Sequence, residues 1–575
     1  MKIKHLFGLA VIAAMTASCS SNEDLGTAGP GTGTNEAGVG YATFTINLPS
    51  TNGTRTDNPT YDQGTLDEYD VNDVTLLIFK KAGKSEGDYT FVEKADLGNM
   101  APWKAEGSNG ITASATITAK LDHVDLTGTE YYALAILNNK TATDVKVKDP
   151  STDQTYSDWN VKGNVNAANF IDKSKGFYMA NAPKFTSGEP TTLVKIDKVY
   201  ATKQKAETNA ATTIHVERGL AKVTVAALPT GKSPTGTKYT RDNVDITAWK
   251  LDVTNKSTFP IHKTAGLTEK FTTIWSNVSG TAPVTARFVD AGNTTFSRVY
   301  WGVDPNYSTD LSNEAACKGA FEILEPNAEI DGTATEPQYC LENTFDIKHM
   351  LQGQTTRVVF KATYTPNGFT KGVTFYKIGN STDLWKKADL EAQIKTKAQE
   401  VLVGKDPTKD PTKVTVDLKA ADNNIEETAG TKILTEENVL YDGAKVSSAL
   451  INAINEKLGL KAAAGTDPIV GIATYASGES YYIARIKHFG DAATPWNEGD
   501  ATYGDNDDTN NNKYLGRYGV LRNNWYELTV GKVSGPGTPD IPTIKPTEPD
   551  DESYKYISVS VKILSWAKWS HSYDL

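Results

Sequence analysis

The residues best placed to do chemistry in this chain are a leader cysteine, Cys19, and a lone loop arginine, Arg55. Cys19 ends an apolar run, residues 6–15, that follows Lys2, Lys4 and His5 and closes in Thr16-Ala17-Ser18. A short apolar run behind basic residues and ahead of small ones reads as a cleavable export signal, too short to stay as a membrane span. A thiol at that break reads as an acylation site, with Thr16 standing where such signals usually carry Leu. Arg55 is the only arginine before Arg218 and sits in the small polar run Ser50-Thr51-Asn52-Gly53-Thr54-Arg55-Thr56-Asp57. Loops of that composition are where proteases cut, so a trypsin-like protease acting on the N-terminal part has a single arginine target. The plainer reading is an ordinary surface arginine.

Other chemistry finds no material. There is no HExxH and no CxxC, and the Gly-Lys-Ser triplets at 83–85 and 231–233 have Ile78 and Ala226 where a phosphate loop needs its leading glycine. A G-x-S-x-G elbow is absent as well. Gly504-Asp505-Asn506-Asp507-Asp508 is acidic enough to attract calcium but lacks the glycine and closing glutamate of an EF-hand loop. With 70 Asp and Glu in the chain, no carboxylate pair stands out. Trp566 and Trp569 read as interface anchors more readily than as a sugar platform. Cys317 and Cys340 are the cysteines left after the leader. An exported compartment permits a disulfide between them, and two buried free thiols fit equally well. A net charge of −11 with no large basic patch argues against nucleic acid as the main partner. No cofactor, metal site or enzymatic activity is expected.

The elements that carry these residues are strands. At 575 residues the chain predicts two or three domains, and its 26 tyrosines with many Thr and Val favour β structure. Residues 41–48 alternate, with Ala42, Phe44, Ile46 and Leu48 on one face, and Pro49 ends the run just ahead of Arg55. Residues 556–563 alternate in the same way, with Ile557, Val559, Val561 and Ile563 on one face. Between them the pattern predicts strands over 74–80, 111–120, 130–137, 177–182, 214–225, 244–253, 357–364, 480–487 and 525–530. A Pro- and Gly-rich stretch from Pro229 marks a domain boundary. Helical spacing of Leu390, Ile394 and Val401, with Asp383 or Asp389 as caps, and of Val446, Leu450, Ile454 and Leu458, ended by Gly459, predicts two helices in the second half. Residues 534–553 hold five prolines, and read as a stiff tether reaching on the order of 60 Å in polyproline II. A strand at the end of a tether cannot satisfy its own ladder, so it must complete a sheet elsewhere.

Several segments together resemble the Bacteroidales fimbrillin family, nearest to the stalk subunit of the minor (short) fimbria. They are Val216-Glu217-Arg218-Gly219-Leu220-Ala221-Lys222, Arg522-Asn523-Asn524-Trp525-Tyr526, the proline stretch, Ile563-Leu564-Ser565-Trp566 and the terminal His571-Ser572-Tyr573-Asp574-Leu575. Ser20-Ser21-Asn22-Glu23-Asp24 is similar to the acidic surface-export tag of Bacteroidota lipoproteins. The resemblance implies a mainly β chain. It has a signal peptide (1–19), a propeptide (20–55) containing the first strand, and two transthyretin-like Greek-key β-sandwich domains (56–229 and 230–533), the second with a few inserted helices. A tether (534–555) and a donor strand (556–575) end it. It further implies an outer-membrane lipoprotein precursor cut at Arg55–Thr56 by an arginine-specific protease. Loss of residues 41–48 opens a groove, and the C-terminal strand of another copy fills it. Subunits so joined, with tip and anchor subunits, form a surface fimbria that meets a host or bacterial receptor in adhesion and biofilm formation. A tip or anchor component, or a surface glycan-binding lipoprotein, is the alternative.

Overall fold

The computed structural model describes residues 38–48, 68–105, 113–185, 190–266, 299, 301–345, 347–464, 469–489, 494, 514–550 and 557–565. Cys19, Arg55, Thr56, the 504–508 run, Trp566 and Trp569 lie outside them. The chain is mainly β, built as two sandwiches with an α/β insertion in the second.

The first sandwich uses β1 (Gly40–Asn47), β2 (Val74–Lys80), β3 (Thr90–Asp96), β4 (Lys104–Ala105), β5 (Ala113–Leu121), β6 (Tyr131–Leu137), β7 (Met179–Asn181), β8 (Val194–Lys195) and β9 (Thr212–Arg218). Its strand path is β3-β2-β6-β7-β9-β1-β5-β4, with β8 on β6. The path folds over at β9: residues 212–215 pair with β1 and residues 216–218 pair with β7. Alternation on both layers then closes one core, in which Phe44, Ile46 and Leu121 meet Leu76, Ile78, Ala133 and Ala135.

The run 214–225 reads as one strand in sequence but is two. Its continuation, β10 (Leu220–Val225), pairs with β14 (Gln338–Leu341) and β24 (Asn524–Val533) in the second sandwich. The chain therefore changes sandwich at Gly219, upstream of the boundary expected at Pro229. Glycine is needed there because a Cβ would fall 2.4 Å from Phe170 Cζ. The facing sheet of this second unit is β11 (Asn243–Asp252), β15 (Arg357–Thr365) and β23 (Glu479–Arg485). Trp249, Phe360 and Tyr482 of that sheet pack on Val223, Tyr526 and Leu528 of the other. A small pair, β12 (Thr254–Asn255) and β13 (Phe321–Glu322), lies beside it.

Between β15 and β23 the chain inserts a separate α/β unit. One sheet joins β16 (Phe375–Ile378), β17 (Leu384–Trp385), β19 (Gly430–Lys432) and β22 (Ile472–Tyr475), and another joins β18 (Val414–Val416), β20 (Val439–Tyr441) and β21 (Ala444–Lys445). The two expected helices span Lys387–Lys405 and Ser448–Lys457 and share a core through Leu390, Ile394, Leu402, Ile451 and Ile454. The details shift by a residue: Leu402 is buried where Val401 was expected, and Ile451 where Leu450 was. Lys386 occupies the N-cap of the first helix, while Asp383 pairs with Lys238 and Asp389 lies in the first turn. Gly459, at φ +71°, ends the second helix in a left-handed turn that glycine adopts without strain.

The proline stretch is the main departure from expectation. Residues 534–550 are packed onto the second sandwich rather than hanging free, with Ile541, Ile544 and Asp550 buried. Cys317 and Cys340 are free thiols in separate clusters, so they form no disulfide here. Burial pushes the Cys340 thiol up to about 12.

Candidate functional site

The site is the slot that holds β1. Alternation puts Ala42, Phe44, Ile46 and Leu48 inside, and none is more than 1% exposed. Phe44, Ile46 and their neighbours face β5 across an eight-pair antiparallel ladder, Gly40↔Leu121 to Asn47↔Ser114. On its other edge β1 runs parallel to β9, from Phe44↔Thr212 to Asn47↔His215. The strand is thus an inner one, bonded on both sides, and the four inward residues named from the sequence are brought together in one row.

Its outer face is closed by hydroxyls rather than by apolar packing. Thr43 and Thr45 meet Thr118 and Thr116, each pair of Oγ1 atoms 2.8 Å apart. Thr43 Oγ1 also donates to the Ala206 carbonyl, 2.9 Å away, in the short helix Lys203–Glu207. At the two ends, Tyr41 and Tyr200 exchange backbone bonds and Leu48 N donates to Ala113 O. The described segment that carries β1 ends at Leu48, and Arg55 follows it in the sequence.

The next described residue is Glu68, which its sequence context does not single out. It is buried at the junction of the two sandwiches. Lys222 Nζ lies 2.7 Å from its Oε1, Tyr339 OH donates to the same oxygen at 2.6 Å, and Arg218 Nε donates to its carbonyl at 2.7 Å. Around it the two segments that carry the resemblance meet. Arg218 N donates to Asn523 Oδ1, and Asn523 N donates to Leu220 O. Lys222 Nζ stands 3.9 Å over the Trp525 ring, whose Nε1 donates to Thr224 Oγ1. His262 bridges from Glu217 at 3.0 Å toward Glu342, which also accepts from Arg522 N. Burial pulls Arg218 down to about 10. Buried charges survive only when paired and hydrogen-bonded, and here the pairs lie across two sandwiches, which ties β9, next to the slot, to β24. One carboxylate among 70 Asp and Glu gives no signal in sequence, because its partners are 150 residues and more away.

The C-terminal strand, β25 (Ile557–Ser565), is present and has a sheet. It pairs antiparallel along β24 in its own chain, with a bulge between Val530 and Lys532. The register sets Ile557, Val559, Val561 and Ile563 opposite Val533, Val530, Leu528 and Tyr526 of β24, and these β24 residues are buried. The other edge of β24 is taken by β10, so β25 is the outermost strand of the path β14-β10-β24-β25.

Tyr526 OH also meets His488 Nδ1 at 2.7 Å. Burial pulls this imidazole down to about 3. The unfolded chain, with an ordinary histidine near 6.5, then takes up the proton first. The stabilising contribution is full above pH 6.5 and is lost as pH falls toward 3. Between pH 7 and pH 5 the loss is expected to be roughly 2 kcal/mol. Denaturant melts of the wild type and of His488→Gln at both pH values check this: the substituted chain should lose less on acidification.

Residues 473–572, which begin within β22 and include β23, β24 and β25, match the family model for the C-terminal region of fimbrillin, the major fimbrial subunit protein type IV. Similar solved structures include a candidate cell adhesion protein from Parabacteroides distasonis, with 10% identity over 93% of this chain and 98% of that one at a TM-score of 0.37. Another, from Bacteroides eggerthii, has 15% identity over 94% and 99%, at 0.33. A fimbrial assembly protein from Parabacteroides distasonis has 12% identity over 60% and 93%, at 0.26. No curated protein matches the chain.

Proposed function

We propose that this chain, whose residues 473–572 match the family model for the C-terminal region of fimbrillin, is a fimbrillin and a stalk subunit of a surface fimbria that polymerises by strand replacement. The role is structural and needs no catalysis. The observation that carries the reading is the position of β1, an inner strand bonded on both edges, with four inward residues at most 1% exposed. Removing such a strand leaves a slot with two unpaired edges and an uncovered core. Refilling it contributes roughly 1.5–3 kcal/mol for each large side chain buried, along with ladder bonds that would otherwise go unmade. Ordering the incoming strand offsets part of that gain. β25 is the segment of this chain with a matching apolar alternation.

A strand given by one copy to the next is a head-to-tail contact, which repeats without closing and makes a filament. The chain is exported as a lipoprotein acylated at Cys19, cut at Arg55–Thr56 by an arginine-specific protease, and relieved of β1. It is then joined to further copies and to tip and anchor subunits, serving adhesion and biofilm formation through a surface receptor.

N-terminal sequencing of the surface-exposed protein tests this directly. The expected first residue is Thr56, and Arg55→Ala should leave unpolymerised, membrane-held precursor. Normal fimbriae made from Arg55→Ala protein would overturn the cleavage step.

A further inference from the structure

The proline stretch is held as a built part of the second sandwich. Prolines have no N–H, so their carbonyls are the only backbone groups they can pair. Three of those carbonyls accept from a side chain of the sandwich. Arg357 Nη2 donates to Pro542 O at 2.7 Å, Gln354 Nε2 to Pro546 O at 3.1 Å, and Gln352 Nε2 to Pro549 O at 3.1 Å. Upstream, Tyr482 OH and Tyr475 OH donate to Gly535 O and Gly537 O, and Thr538 exchanges backbone bonds with Tyr481. The last described residue of the stretch is the most enclosed. Asp550 is 0% exposed, accepts from Thr355 Oγ1 at 2.7 Å, and faces Arg485 Nε on β23 at 3.2 Å. That last contact is ionic rather than an aligned hydrogen bond. Arg485 is itself 2% exposed and is steadied by Nη1 donating to Gln352 O.

We propose that Asp550, held by Arg485, is the fixed pivot of the donor arm, and that joined subunits therefore abut at the face around Asp550. The proposal rests on the stalk reading above and adds where the arm begins. Arg485 and Asp550 act as positioning residues. From Asp550 to Ile557 there are seven Cα steps, which span at most about 25 Å fully extended. Were the arm free from Ser534, it would reach on the order of 70 Å in polyproline II. The shorter arm requires the receiving slot of the next copy to open within that 25 Å. The partner at this face is a second copy of the same chain, and tension on the donor strand passes through Asp550 into β23.

Two insertions of the same Gly-Ser-Gly-Ser-Gly-Ser segment in the full-length chain separate a pivot from a tether. One goes after Glu552, beyond the pivot. The other goes after Thr547, in the exposed turn closed by Glu548 N to Lys545 O, ahead of the pivot. Filaments are imaged by electron microscopy and their axial repeat is measured. The expected result is that the insertion after Glu552 at least doubles the spread of the repeat, and the insertion after Thr547 leaves it unchanged. Equal effects from both insertions, or none from either, would overturn the pivot. Should the Thr547 variant fail to fold, hydrogen exchange on unaltered filaments decides. The amides that bond between the stretch and the sandwich, Gly537 N to Ser480 Oγ, Thr538 N to Tyr481 O and Gln352 N to Glu548 O, should be as protected as those of β23, and free-chain exchange at them would overturn the proposal. Deleting residues 556–575 is the control on the stalk reading: filaments that persist without them sink that reading, whatever the insertions show.

Discussion

Phe44→Ala is expected to lower the stability of the uncut chain by about 3–5 kcal/mol and to leave finished filaments as stable as wild type. Phe44 is 0% exposed and sits at the centre of the first core, next to Ile46 and across from Leu76 and Ile78. Truncating it removes a ring's worth of buried surface and leaves a cavity between two layers. These can relax only by sliding β1, and β1 is pinned in register with both β5 and β9. The whole loss therefore falls on the precursor. If processing discards β1 and another copy's strand takes the slot, Phe44 is absent from the polymer and its identity has no bearing there. Denaturant unfolding of the purified uncut chain gives the first quantity. The temperature at which assembled filaments dissociate gives the second. Filaments weakened in parallel with the precursor would mean that β1 stays in place, and strand replacement at this slot would be wrong.

The same strand shows how far the sequence carries. A period-2 alternation names its own buried face, so Ala42, Phe44, Ile46 and Leu48 were identifiable from residue type alone; β2 over Val74–Lys80, buried on both faces, was legible instead as a nearly unbroken apolar run. Burial on one face is a local demand and leaves a local record. What the alternation does not record is the partner. The run 214–225 is uniformly strand-like, yet it serves two layers of one sandwich and then a second sandwich, with the change set by the space that Phe170 leaves at Gly219. The proline stretch is the sharper case. Pro-rich composition fixes an extended backbone, and an extended backbone serves a tether and a packed strap equally well. The decision lies in Gln352, Gln354 and Arg357, nearly two hundred residues away, whose donors match the carbonyls of Pro549, Pro546 and Pro542. The Glu68 junction was illegible for the same reason, since a buried ion pair is defined by which charges meet, and spacing along the chain says nothing of that.

Deleting residues 556–575 is expected to reduce polymer to below detection while leaving a folded, cooperatively unfolding monomer. In the single chain β25 covers one edge of β24, opposite Tyr526, Leu528, Val530 and Val533. Its loss exposes that edge, and the monomer should melt lower than wild type. It should still fold, because β24 keeps β10 on its other side and the core beneath is filled from the facing sheet by Trp249, Phe360 and Tyr482. The first sandwich makes no use of β25 and keeps its own β1 in the uncut chain. The deletion therefore separates two roles that a point substitution would mix, since a change such as Val561→Asp weakens both the intramolecular pairing and any pairing with another copy. Size-exclusion chromatography with light scattering, run after protease treatment, reads the outcome: a single monomer peak for the deletion, and a void-volume polymer for wild type. Adding a synthetic peptide of residues 556–575 should then stabilise the cut, truncated monomer and still not polymerise it. A free strand fills one slot, and only a strand carried by a second chain can join that slot to the next.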